Sequence, residues 1–155
     1  MSGRAGAPAG GGPGGDPPPD PDRGPGDRLR LRETPWRLAV CRFPADAPLP
    51  AWVFHREAAF FSVTRTPHEL SVVCAEDDLP PSVDRDVERG WRAIEVVGPL
   101  PFDLTGVVSG LTMPLAAAGI PVFVIGTYDA DYVLVKSADL RKALGTLAGS
   151  FDIVA

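Results

Sequence analysis

Cysteine and histidine are scarce, two of each in 155 residues. Cys41 and Cys74 fall inside apolar runs, so they read as buried small hydrophobes in a reducing compartment, not as a disulfide framework or a zinc site. His55 stands beside the charged Arg56-Glu57 pair and His68 lies in a turn signal; both read as solvated, and neither has the Ser or Cys neighbour that nucleophilic catalysis needs. No Gly-rich loop leads from a strand into a helix with a Lys, which leaves phosphate binding without support. No apolar run approaches the roughly 20 residues that cross a bilayer, and the N-terminus lacks the apolar core of a signal peptide, so a cytoplasmic protein is expected. A net charge of -5 and a pI near 4.9 lack the basic surface that draws proteins to nucleic acid or anionic membranes. Asp77-Asp78 and Asp84-Arg85-Asp86 read as a solvated charged loop.

What is abundant at the start is glycine and proline. Met1 to Asp27 holds nine Gly and seven Pro in 27 positions, with no Leu, Ile, Val or aromatic residue. Such a segment cannot offset the entropy of being ordered, and residues 1–34 are expected to form a disordered tail outside the fold. Pro17-Pro18-Pro19 suits polyproline II.

The folded part is expected from Pro35-Trp36, with Leu38 to Cys41 as a short strand. Prolines 44, 48 and 50 limit any following helix to a short one near Leu49-Pro50, with Trp52 and Val53 inward. Phe60 to Thr64 and Leu70 to Cys74 read as an antiparallel hairpin about the turn Thr66-Pro67-His68-Glu69. After a charged loop, Trp91 to Val97 resumes as a strand. From Gly106, the positions Val107, Val108, Leu111, Leu115 and Ala118 follow helical spacing, with Thr105 as N-cap and Gly119 and Pro121 as the stop. Pro114 lies inside this helix at a propensity cost of about 3 kcal/mol, eased sterically by Gly110 four residues earlier. Val122 to Ile125 reads as a central strand buried on both faces, and Tyr132 to Val135 as its hairpin partner. Ser137 caps a last helix facing inward through Leu140, Ala143, Leu144 and Leu147, and Phe151 to Val154 adds a terminal strand.

Aligning Thr64 with Thr127, an offset of 63, lays the first hairpin on the second. Each half then reads as strand, helix, hairpin, then helix or loop, with strands shared at the junction. The expected fold class is α+β, a ferredoxin-like sandwich used twice: a degenerate first unit over 35–90 and a second over 91–155.

Phe102-Asp103-Leu104-Thr105-Gly106-Val107-Val108, followed by Pro114-Leu115-Ala116 and Gly126-Thr127-Tyr128-Asp129-Ala130-Asp131-Tyr132-Val133-Leu134-Val135, resembles the ACT domain of aspartate kinase regulatory regions. It is closer still to the tandem ACT units of the CASTOR arginine sensors and their small bacterial relatives. The resemblance runs from about Arg37 to Val154 and is most specific in the second half. It implies βαββαβ units that bind a small molecule, usually a free amino acid, at an interface between units, with no catalysis and no cofactor. It also implies a ligand loop of Phe102, Asp103, Leu104, Thr105, Gly106 and Val107, faced by Gly126, Thr127, Tyr128, Asp129 and Asp131.

The residues suit that role chemically. Free amides at Gly106, Val107 and Val108, with the positive end of the helix dipole, match a carboxylate. Asp103, Asp129 and Asp131 offer charge-assisted bonds to an ammonium or a cationic side chain. For Asp103 and Asp129, helix lead-in and turn chemistry explain the residue type equally well. The expectation is a sensor that binds an amino acid, pairs as a homodimer by extending its sheets and regulates another protein; a ligand-free interaction module is the alternative.

Overall fold

The computed structural model describes residues 28–54 and 59–155; His55, Arg56, Glu57 and the Gly/Pro-rich Met1 to Asp27 lie outside the described residues. Among the described residues, seven strands form one sheet: β1 (Arg30–Phe43), β2 (Phe61–Arg65), β3 (Leu70–Ala75), β4 (Val87–Val96), β5 (Phe123–Gly126), β6 (Asp131–Lys136) and β7 (Asp152–Val154). Their order is β2-β3-β1-β4-β6-β5, and β7 pairs in parallel with the start of β1. Two helices, α1 (Val107–Ala117) and α2 (Leu140–Leu147), pack on one face.

β1 is the spine, and it begins at Arg30, inside the 1–34 segment expected to be a disordered tail and upstream of the Pro35-Trp36 start expected from sequence. Leu31 and Thr34 are buried, and Leu31 to Glu33 pair with Val96 to Ile94 of β4. The register slips between Glu33 and Arg37, around Pro35, because a proline has no N–H to give to the ladder. The backbone groups freed there find side chains. Arg92 donates through Nε to the Trp36 carbonyl (3.1 Å) and through Nη2 to the Thr34 carbonyl (3.2 Å). The Thr34 hydroxyl donates to the Ala93 carbonyl at 3.0 Å.

Alternation along the strands divides the interior in two. Ile94, Val96, Val133 and Val135 meet Leu111 and Leu115 of α1 and Ala143 and Leu147 of α2. On the other face Leu38, Val73, Ala93 and Leu134 are covered by Trp36, Phe60, Trp91, Phe123 and Tyr132. Cys41 and Cys74 are free, buried thiols in a third cluster beneath the 3₁₀ turn Ala51–Phe54.

Four further expectations change. Val122 to Ile125 is not a central strand: β5 is the sheet's edge, with Val124 and Gly126 exposed and Phe123 and Ile125 only half-buried. Its unbroken apolar run serves packing on the helix-free face and the turn into the strand, not a neighbour on each side. Thr105 does not cap α1; Gly106 occupies that position at φ 84° with no side-chain cap, a conformation glycine takes without strain. Ser137 donates its hydroxyl to the Gly90 carbonyl (3.0 Å) instead of capping α2. The hairpins also recur at an offset of 61, not 63: Leu70–Ala75 and Asp131–Lys136 correspond, as do the 3₁₀ turns Glu76–Asp78 and Ser137–Asp139.

Candidate functional site

The turn between β5 and β6 repeats that between β2 and β3. Thr127 N–H donates to the Ala130 carbonyl (2.9 Å) while its hydroxyl accepts from Ala130 N–H (3.1 Å). Thr66 does the same with Glu69, at 2.9 and 3.2 Å. A threonine at the first position thus closes each turn through its own side chain. The second turn meets the loop before α1. There the Leu100 N–H donates to the Asp129 carbonyl at 2.9 Å, and Gly98 lies so close that an added Cβ would run into that carbonyl. The loop leading to α1 is therefore pinched against the β5–β6 turn.

Between loop and turn lies a hollow of about 130 Å³, lined by Phe102, Leu104, Val107, Thr127, Tyr128 and Asp131, with Leu100, Pro101 and Ala130 completing it. Asp131, half-buried at the start of β6, is the one ionisable carboxylate on that lining. Its Oδ1 faces Gly126, where an added Cβ would stand 3.4 Å away. Val107 opens α1 and is 7 % exposed. The first N–H groups of a helix have no intrahelical acceptor, and no side chain caps them in this one. The start of α1 and an acidic side chain thus border one space.

Six of the twelve anticipated residues meet on this lining: Phe102, Leu104, Val107, Thr127, Tyr128 and Asp131. Asp103, Thr105, Gly106, Val108, Gly126 and Asp129 are beside it but not on it, and Asp129 contributes its carbonyl to the pinch. The rings of Phe102 and Tyr128 stand edge to face across the mouth, centroids 4.7 Å apart, both largely exposed at 76 % and 63 %. Sequence reasoning passed over Gly98 and Leu100. A Gly-Pro pair such as Gly98-Pro99 signals a turn, but a turn signal does not say which carbonyl the turn will touch.

A family model described as an ACT domain matches residues 86–148, and a second, described as an N-terminal domain, matches residues 37–82. CASTOR3P of Homo sapiens is 30% identical over 137 residues, covering 81% of this chain and 83% of that protein. The Bos taurus cytosolic arginine sensor for mTORC1 subunit 1 is 33% identical over 103 residues, or 61% of this chain. The match spans 31% of that sensor's length. Among solved structures, Atu0741 from Agobacterium tumefaciens is similar at 37% identity and a TM-score of 0.74, over 82% of this chain and 92% of that one. The regulatory subunit of aspartate kinase from Thermus thermophilus shares the fold, with a TM-score of 0.53 at 13% identity over 75% of this chain and 92% of that one. The chain belongs to the ACT domain family, as a relative of the CASTOR sensors with the fold of aspartate kinase regulatory domains.

Proposed function

We propose that the chain is a non-catalytic cytoplasmic regulatory module of two ACT-like units, meeting in the loop before Val87, that binds a free amino acid in the hollow under α1. The observation that carries this reading is that Val107, at the uncapped start of α1, and the Asp131 carboxylate line the same space. A zwitterion satisfies both: its carboxylate accepts from the first-turn amides, and its ammonium or cationic side chain donates to Asp131. The names of the arginine sensors among its relatives agree with a ligand of this class.

The hollow, at about 130 Å³, is small beside the roughly 300–1,000 Å³ of ordinary ligand pockets. Its exposed apolar rim of Phe102, Leu104, Val108 and Tyr128 suits closure by a second copy, giving a homodimer that a regulated protein reads as filled or empty. The same small volume, with the Phe102–Tyr128 ring contact over the mouth, is what favours the second reading, a pairing module that has lost its ligand.

A thermal-shift screen against the twenty amino acids, with sizing in parallel, separates the two readings. A ligand binding only the folded state at a hundredfold excess over Kd adds about 2.7 kcal/mol. At least one amino acid is expected to raise Tm, and Asp131→Ala to abolish that rise with the apo Tm preserved. A flat screen, or an undiminished shift in the variant, defeats the sensor reading.

A further inference from the structure

The sheet curls about its helix-free face. Phe60, next to β2, meets Trp36 of β1 and Tyr132 of β6, each with ring centroids 5.2 Å away, although β3, β1 and β4 separate β2 from β6 in the sheet. The curl brings both sheet edges to opposite walls of one groove of about 220 Å³. Ser62 and Thr64 of β2 form one wall, Ser71 and Val73 of β3 the floor, and β5 the other wall. Among the described residues, β2 pairs only with β3 and β5 only with β6. Each edge therefore presents unpaired backbone N–H and C=O groups. None of the lining residues is ionisable. Past Ser71 and Phe123 the groove widens into a hollow of about 510 Å³ rimmed by Arg42, Glu69 and Glu88.

We propose that this open seam takes an extended, uncharged peptide segment of a partner protein, which adds as a strand between β2 and β5. Two strand edges, each without a ladder partner on its outer side among the described residues, border one neutral groove; they are complementary to a third backbone, and alternate side chains of that strand would fall among the three hydroxyls and the apolar floor. β5 has four residues and β2 five, so the seam holds a segment of about 13–17 Å at roughly 3.3 Å per residue. The chain's own first 27 residues are a poor occupant: seven prolines interrupt them and they contain no Val, Ile, Thr or aromatic residue, the types that strands favour. A small molecule would leave most of both edges unpaired.

The test is an NMR titration of the isotope-labelled full chain with the capped peptide Thr-Val-Thr-Val-Thr, and with the same peptide N-methylated at alternate residues. Saturable shifts and slowed amide exchange are expected at β2 and β5, with binding at least tenfold weaker for the N-methylated form. Ser62→Trp, which fills the groove, is expected to remove the binding while Tm stays within a few degrees of the parent. No saturable shift, equal binding of both peptides, or shifts confined to the hollow under α1 would overturn the proposal. Edge amides already protected without peptide would overturn it too, assigning the seam to the chain itself if protection is independent of concentration and to a second copy if it is not. Amino-acid binding is not read in this experiment, so its outcome is separate from that of the sensor screen.

Discussion

Among the described residues, the sheet from Arg30 to Asp78 is roofed by the 3₁₀ turn Ala51–Phe54, whereas from Val87 to Val154 it is roofed by two α-helices. The hairpins beneath are alike in turn chemistry and in the 3₁₀ turn that follows. The difference lies in the crossover. Phe43 pairs with Leu70 and Val96 with Asp131, so the first crossover spans eight fewer residues than the second, and it carries Pro44, Pro48 and Pro50. A shortened, proline-broken crossover cannot hold an 11-residue helix such as α1. Among the described residues the first half forms no α-helix, so the helix start and the hollow beside it belong to the second half.

The sharpest way to test that contrast is to empty each roof in turn. Leu115→Ala, under α1 at a fully buried site, is expected to cost about 2–5 kcal/mol. Val53→Ala, under the 3₁₀ turn and also buried, is expected to cost about 1–2.5 kcal/mol, two methyl groups' worth plus a small cavity. Urea midpoints measure both, and equal losses would remove the distinction between the halves. Next in size, Gly98→Ala drives a methyl into the Asp129 carbonyl at a cost of about 1–3 kcal/mol. It should release the Leu100 amide to exchange, and unchanged Leu100 protection would mean the pinch is not what holds the loop.

Gly106→Ala is expected to lose about 1–2 kcal/mol, because its φ of 84° strains any residue with a Cβ although the space around it is open. Thr105→Ala should stay within about 0.5 kcal/mol, since the hydroxyl caps nothing; thermal melts of this pair rank glycine over threonine or refute that order. The last effect belongs to the face both halves share. Burial first, and the Glu95 carboxylate second, push the Tyr132 phenol above its usual 10.0. The neutral phenol is the form the fold prefers, so its contribution is whole below pH 10 and declines as pH rises through the elevated folded value. Tyr132→Phe is expected to flatten that alkaline decline in urea midpoints taken between about pH 8 and 11; an equally steep decline would mean the phenol is not the group responsible.

Local pattern made the second half legible. Helical spacing marked α1 and α2, and the apolar run Tyr132 to Val135 marked β6, because each signal is confined to a few adjacent residues. The start of β1 was hidden, since Arg30 to Pro35 carries arginine, glutamate and proline in place of an apolar stripe. It is a strand because β4 and β7 supply partners from 60 to more than 120 residues away. β5 misled for the opposite reason: an unbroken apolar run implies cover on both sides, and here the cover comes from the curl of the sheet. In the site, Gly98 was unreadable because its role is a close approach to a carbonyl in another turn.

Residue order alone settled the α+β class and the positions of the hairpins and both helices, for these follow from periodicity and side-chain type. Tertiary structure decided which strand is central, which glycine holds the loop, how much space the hollow keeps and that two sheet edges share a groove. Those outcomes depend on distances between segments far apart in the chain, and such distances are set by packing all the elements together.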